Sequence, residues 1–148
     1  MTKEELAEML DRAMREVTEQ TVGVRLHTGE KQLSEELCTV QISFNKGLHS
    51  SLSLCAEIAL MERLARGMFG DDIRGMQDIE DFAKEYLNIL CGKVVHFLYH
   101  ATHIGASFGV PVFYHGRCAL KDHKMQFVLT YLDEQQGVAQ LAHLVPCV

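Results

Sequence analysis

The stretch DIEDFAKEYLNILCGKVVHFLYHAT, residues 78–102, decides the architecture, because it is a long segment with sustained helical periodicity. On a wheel of about 100° per residue, its apolar side chains crowd onto one side. This pattern predicts a long helix, capped by Asp78 and running to Thr102, with a broad core-facing stripe. The stripe consists of Ala83, Leu87, Leu90, Val94, Phe97, Leu98 and Ala101.

The opposite side of this helix carries a set of residues called the outer face below: Asp81, Glu85, Asn88, Gly92 and His96. Glu85 and Asn88, three residues apart, place a carboxylate and a carboxamide side by side. A solvated helix surface is the usual explanation for such a pair. Asn88, however, is a poor helix residue, because its side chain competes for backbone hydrogen bonds. Gly92 costs about 1 kcal/mol relative to alanine, but it leaves a bare surface that another backbone can approach.

The other segments predict an α+β architecture with a sheet covered by helices. A capping box of Thr2 and Glu5 begins a first helix, and a second helix continues from Ile58 until Gly70 ends it. Strand patterns cover residues 21–26, 39–44, 51–54, 106–114, 124–132 and 138–144, with a turn over residues 45–47. No linker interrupts the chain, so one domain over residues 1–148 is expected.

Composition excludes several classes of function. The net charge of −6 and the scattered basic residues disfavour nucleic acid as a partner. No apolar run reaches the roughly 18 residues that a membrane helix needs, and the N-terminus lacks the pattern of a signal peptide, so a cytoplasmic protein is expected. Five cysteines without a CxxC pair indicate reduced thiols instead of disulfides or a zinc site.

The spacing of the polar residues matches a known pattern. Asp81, three residues, Glu85, two residues, Asn88, and then Pro111 after another twenty-two residues resemble the motif of the CheC/CheX/FliY phosphatase family. The order of elements along nearly the whole chain resembles the CheX-like members. Residues 89–92 read Ile-Leu-Cys-Gly, whereas CheX-like chains have a sequence closer to Met-Ile-Ala-Gly.

This resemblance implies a CheX/CheC-like fold with a single exposed active-site helix. Because no asparagine precedes Asn45, the first helix cannot carry a second copy of the motif, and one active site per chain is the limit. The resemblance further implies a phosphatase that hydrolyses the aspartyl-phosphate of a CheY-like response regulator in chemotaxis or related two-component signalling. A homodimer is also implied.

The implied roles fall on the outer face. Asn88 would hold the attacking water and Glu85 would pair with a lysine of the regulator, so these two are the expected catalytic residues. Asp81, Gly92 and His96 are expected to contact the partner. No cofactor of its own is expected, because the regulator would supply a divalent metal such as Mg²⁺.

Two residues of the motif have structural explanations that are stronger than a catalytic one. Asp81 follows the predicted cap by three residues, where the helix dipole stabilises a carboxylate. Pro111 interrupts an apolar segment and therefore predicts an edge, bend or loop.

Two alternatives remain open. One is an adaptor of the same fold that binds a response regulator or flagellar switch component without accelerating hydrolysis. The other is a metal-dependent sensor built on His96, His100 and His103, although histidines at a helix end more often cap it or remain solvated. Nucleophilic catalysis by Cys91 is disfavoured, because Cys91 lies away from Glu85 on the wheel.

Overall fold

A computed structural model of the protein describes residues 1–34, 36–117 and 121–147. These residues form three α-helices and seven strands, in the order one helix, three strands, two helices and four strands. This order confirms the predicted α+β class. A π-helical turn, Thr18–Val22, continues the first helix. The elements are α1 (Lys3–Val17), β1 (His27–Thr28), β2 (Leu37–Lys46), β3 (Ser51–Glu57), α2 (Ile58–Phe69), α3 (Gly75–Thr102), β4 (Ser107–Phe108), β5 (Val112–His115), β6 (His123–Leu132) and β7 (Val138–Pro146).

The strands form one antiparallel sheet in the order β1-β6-β7-β3-β2-β4, and β5 also pairs with β2. The strands at the two ends of this order are only two residues long. In β2, alternate side chains enter the core, as the two-residue period requires: Cys38, Val40, Ile42 and Phe44.

The helices pack against the sheet, and α3 contacts both α1 and α2 as well as β2 and β5. Helix α1 runs antiparallel to α3: Lys93 Nζ lies 3.3 Å from Glu16 Oε2, and the Arg12 guanidinium lies 4.3 Å from the centre of the Phe97 ring. Although α3 has 28 residues, none of the helices in the described ranges is apolar enough to span a membrane.

The strand predicted over residues 21–26 is wrong. Helical hydrogen bonding continues past α1 through Val22, and Gly23 ends it with a φ of +78°. The Thr18 hydroxyl donates to Met14 O at 2.6 Å and also contacts the Tyr86 hydroxyl. These buried contacts with α1 and α3 outweigh the β propensity of the β-branched residues, which is a weak local preference.

The start of α3 also differs from the prediction. Arg74, not Asp78, is the N-cap residue, and the helix begins at Gly75. The carboxylate of Asp78 still serves this end of the helix, because its Oδ2 accepts a hydrogen bond of 2.7 Å from the Arg74 amide. Asp78 therefore marks the start of α3 because its side chain reaches back over the first turn, and not because it is the N-cap residue itself.

Two β segments are arranged differently from the prediction. The segment over residues 106–114 splits into two strands that both pair with β2: β4 pairs with Phe44 and Lys46 across a register shift, and β5 pairs with residues 38–41. Pro111 directly precedes β5, and it lacks the amide that a continuous strand would need. The hairpin between β2 and β3 is confirmed, but its turn begins at Gly47, later than expected.

The cysteines in the described residues are free thiols, as expected. Cys38 and Cys91 are buried, Cys55 is half-buried and Cys147 is exposed. Cys118 lies outside the described residues.

Asp133 fixes the turn between β6 and β7 onto α2. Its carboxylate binds Arg63 Nε at 2.6 Å and accepts the amides of Gln135 and Gly137 at 3.1 and 2.8 Å. Burial alone would raise the pKa of Asp133, but the hydrogen bonds from Arg63 and the two amides outweigh it and lower the pKa. The ionised form therefore stabilises the fold.

Replacing Asp133 with asparagine is expected to lower the free energy of unfolding by about 1–3 kcal/mol at neutral pH, because buried donors lose a charged acceptor. The contribution of the carboxylate is fully present above the ordinary aspartate pKa of about 4 and is lost as the pH falls through the lowered folded pKa. Urea unfolding at pH 7 and at about pH 3 measures this difference. Asp72→Asn, at an exposed aspartate, is the control. An equal effect of Asp133→Asn at both pH values would contradict the assignment.

Candidate functional site

The outer face of α3 points away from the sheet, as the wheel predicts. Asp81, Glu85, Gly92 and His96 are exposed, and Asn88 is half-buried. Most of the predicted stripe is buried, although Phe97 is half-buried and Ala101 is exposed at the end of the helix. The structure thus brings all five predicted site residues together on one surface.

The helix beneath this surface is held firmly. Phe82, Tyr86 and Leu87 have no exposed surface, and the rings of Phe82 and Tyr86 stack with centroids 5.3 Å apart. The Tyr86 hydroxyl is hydrogen-bonded to Thr18, which ties α3 to the end of α1. Because Glu85 and Asn88 project from a packed helix, their positions are defined by the core instead of by a loop.

The paired carboxylate and carboxamide are available to a partner. The ion pairs that α3 makes within the protein involve other residues: Lys84 with Glu80, and Lys93 with Glu16. Within residues 1–34, 36–117 and 121–147, no side-chain hydrogen bond occupies Glu85 or Asn88. The pair can therefore accept or donate hydrogen bonds to an incoming group without breaking a contact of the fold.

Asp81 has a different environment from the one expected. Because α3 begins at Gly75, Asp81 is the seventh residue of the helix and lies beyond its first turn. The prediction that the helix dipole stabilises the Asp81 carboxylate in the first turn is therefore wrong. Its Oδ1 instead accepts a hydrogen bond of 2.9 Å from Gln77 Nε2 on the preceding turn. Among the residues that the structure describes, no hydrogen bond or ion pair occupies the second oxygen.

Packing among the described residues does not require a glycine at position 92. A Cβ atom built on it would meet nothing within 4 Å. Gly67 in α2 is the opposite case, because a Cβ there would lie 2.4 Å from the carbonyl oxygen of Val22. The bare backbone at Gly92 therefore opens onto free space beside Asn88.

The histidines towards the C-terminal end of α3 are not grouped with carboxylates or cysteines as metal ligands among the described residues. The rings of His96 and His100 meet edge to face with centroids 4.4 Å apart, and His103 ends the helix in the left-handed conformation with a φ of 59°. In the part of the chain that the structure describes, no group of three or more His, Cys, Asp and Glu residues is arranged to hold a metal ion. The capping role expected for a helix-end histidine thus falls to His103.

Cys91 is unsuited to nucleophilic catalysis. Its side chain is fully buried, and burial raises the pKa of the Cys91 thiol to about 12. A thiol in this state carries almost no thiolate at neutral pH.

One residue of this surface was not anticipated. Tyr99 lies two helical turns beyond Gly92 and is 52% exposed, so it extends the outer face towards the end of α3. Its ring meets that of His103 edge to face, with centroids 5.8 Å apart. The seven-residue spacing from Gly92 was the available signal, because residues seven apart share a helix face.

The geometry defines a class of protein in which a packed helix presents a carboxylate and a carboxamide side by side on its outward surface. The family model described as chemotaxis phosphatase CheX matches residues 38–132, more than half of the chain. The chain therefore belongs to the CheX family. No curated protein sequence matches it.

Solved structures share the fold. The chain is similar to the chemotaxis protein CheX from Vibrio vulnificus, at 17% identity and a TM-score of 0.77, covering 94% of this chain and 95% of that one. A putative chemotaxis protein from Desulfovibrio vulgaris Hildenborough gives 18% identity and a TM-score of 0.75, with the same coverage. CheX in the CheX–CheY–BeF3–Mg complex from Borrelia burgdorferi gives 14% identity, a TM-score of 0.73, and coverage of 95% and 97%.

The open environment of Gly92 predicts that Gly92→Ala stabilises the folded protein. The expected gain is about 1 kcal/mol, because alanine has a higher helix propensity and its methyl group meets no neighbour. Thermal or urea unfolding measures the change. Gly67→Ala is the matched control and should destabilise, because its Cβ would collide with Val22 O. A loss of stability in Gly92→Ala would mean that the fold itself requires this glycine.

Proposed function

We propose that this protein hydrolyses the aspartyl-phosphate of a CheY-like response regulator, with Glu85 and Asn88 as the catalytic pair. The observation that carries the proposal is the free carboxylate and carboxamide on the rigid outer face of α3, in a chain of the CheX family. The CheX–CheY complex among the structures of similar fold supports the choice of partner class.

In this reaction, the main contribution of the protein is to position the attacking water. Water attacks phosphorus, the bond between phosphorus and the aspartyl oxygen breaks, and the aspartate leaves as a carboxylate while inorganic phosphate forms. The regulator supplies a divalent metal, such as Mg²⁺, and a lysine that neutralise charge on the phosphoryl oxygens. The missing element is an oriented water, and the Asn88 carboxamide oxygen accepts a hydrogen bond from it and aligns it with the leaving group.

Glu85 anchors the complex in this proposal. Its unpaired carboxylate meets the regulator's active-site lysine, which sets the register of α3 in the phosphorylation pocket. Gly92 lets the partner backbone approach closely beside Asn88, while Asp81 and His96 contact the partner at either end. Because a shift of about 1 Å can cost a hundredfold in rate, this anchoring is as important as the water contact.

The remaining parts of the proposal concern assembly and location. The protein needs no cofactor of its own, it acts in the cytoplasm where response regulators are phosphorylated, and it forms a homodimer. The short strands β4 and β5 at one edge of the sheet leave backbone groups that a second copy could pair with.

Asn88→Ala is expected to abolish the acceleration of dephosphorylation, with a loss on the order of 100-fold, because the attacking water is no longer aligned. The measurement is the decay of a phosphorylated CheY-like regulator from the same genome, with and without the protein. Asn45→Ala removes the other asparagine of the chain, which is exposed on β2, and should retain full activity. Binding of the phosphorylated regulator by the unaltered protein without acceleration would instead establish the adaptor function.

Glu85→Gln is expected to weaken binding of the phosphorylated regulator by roughly 10- to 100-fold, because it removes one partner of a desolvated charge pair. Titration of a fluorescently labelled regulator measures this, with Glu8→Gln on the exposed side of α1 as the control. The same titration with a regulator lacking its active-site lysine completes a double-mutant cycle. If Glu85→Gln weakens binding equally without that lysine, the proposed pair does not form.

A further inference from the structure

Two histidines near the C-terminal end of α3 have the spacing of a metal chelate. His96 and His100 are four residues apart, so their side chains lie one above the other on the same side of the helix. Their rings meet edge to face with centroids 4.4 Å apart. Two histidines at this spacing on one helix face can bind a single zinc ion, as they do in the HExxH motif. The helix therefore brings two imidazole ligands within reach of one ion.

Both rings are available to a ligand from solvent. His96 and His100 are exposed, and in the part of the chain that the structure describes neither makes a side-chain hydrogen bond or an ion pair. An incoming ion can therefore bind their ring nitrogens without breaking a contact of the fold. His143 is the opposite case, because it is buried and its Nδ1 lies 2.7 Å from Gln126 Oε1.

The charges around the pair favour a cation. His100 lies in the last turn of α3, where the helix dipole presents partial negative charge. Lys93, one turn before His96, has its ammonium group 3.3 Å from Glu16 Oε2 and 5.3 Å from the centre of the Phe97 ring. The positive charge of Lys93 is therefore offset by a residue of α1. The net charge of −6 for the whole chain also attracts cations.

The two ligands select the class of metal. Imidazole suits zinc, copper and nickel, whereas magnesium and calcium prefer oxygen ligands. Over residues 1–34, 36–117 and 121–147, no third histidine, cysteine, aspartate or glutamate is grouped with this pair. The chain therefore supplies two ligands, and water or a donor from another molecule fills the other positions that zinc requires.

We propose that His96 and His100 chelate one divalent transition-metal ion of the zinc class, each through one ring nitrogen. The inference does not depend on the proposed phosphatase reaction, and the ion is distinct from the Mg²⁺ that a regulator would supply. His96 lies eight residues beyond Asn88, which is about 12 Å along a helix. The bound ion therefore adds positive charge at the C-terminal end of the outer face.

Nitrogen-15 NMR of the histidine rings tests this directly in the full chain, prepared without an affinity tag. Zinc chloride is the probe, and magnesium chloride at the same concentration is the blank. The expected result is a saturable shift of the His96 and His100 nitrogens with zinc and no shift with magnesium. His96→Ala and His100→Ala should each weaken zinc binding by about 100-fold, because a single ligand loses the advantage of chelation.

Two control variants locate the ion. His27→Ala, at an exposed histidine of β1, should leave the zinc affinity unchanged. Cys147→Ser removes an exposed thiol that could compete for zinc and should also leave the affinity unchanged. Because all of these positions are exposed, the variants are expected to fold, which circular dichroism checks.

Any of three results would overturn the proposal. One is the absence of a saturable shift at His96 and His100 at millimolar zinc. Another is full zinc affinity in either His96→Ala or His100→Ala, which would mean that the two rings do not act together. The third is loss of zinc binding in Cys147→Ser, which would place the ion on the thiol instead of on α3.

Discussion

The burial of α3 against the sheet and the two other helices is the interaction on which the rest of the structure depends. Nine of its residues are buried, among them Phe82, Tyr86 and Leu90. Each large apolar side chain buried in this way stabilises the fold by about 1.5–3 kcal/mol. Because α1, α2 and the sheet cover the buried side of α3, its polar residues lie on the remaining surface, which includes the outer face. The position of the candidate site is therefore a consequence of the core.

The same packing explains how α3 tolerates residues that disfavour helix. Asparagine and glycine cost the helix up to about 1 kcal/mol each relative to alanine, which is less than the gain from burying one ring such as Tyr86. Asn88 and Gly92 can therefore be retained without loss of the fold. Among the described residues, a Cβ atom added to Gly92 would meet nothing within 4 Å and Glu85 has no side-chain partner, so no contact within the fold accounts for these two residues.

The sequence predicted the parts of the fold that follow from one periodic pattern. The 3.6-residue period of α3 was enough to place Glu85 and Asn88 on its outward side, and the helix start at Thr2 was confirmed, with the Thr2 side chain accepting the Glu5 amide. Predictions failed where distant contacts override local preference. The hydrogen bond between Thr18 and Tyr86 keeps the chain helical where β-branched residues suggested a strand.

The structures of similar fold show how little of this architecture depends on particular side chains. At 14–18% identity, the fold is kept with TM-scores of 0.73–0.77, so more than four-fifths of the matched residues differ. Many sequences satisfy the requirement to bury apolar side chains at the right period, because cores tolerate extensive substitution if volume and pattern are kept. Hydrolysis of an acyl phosphate is more demanding, because it needs one carboxamide at one place relative to a water and a leaving group. In the proposed function, the activity rests on a few side chains of the outer face, and Asn88 is the residue expected to separate a phosphatase from an adaptor.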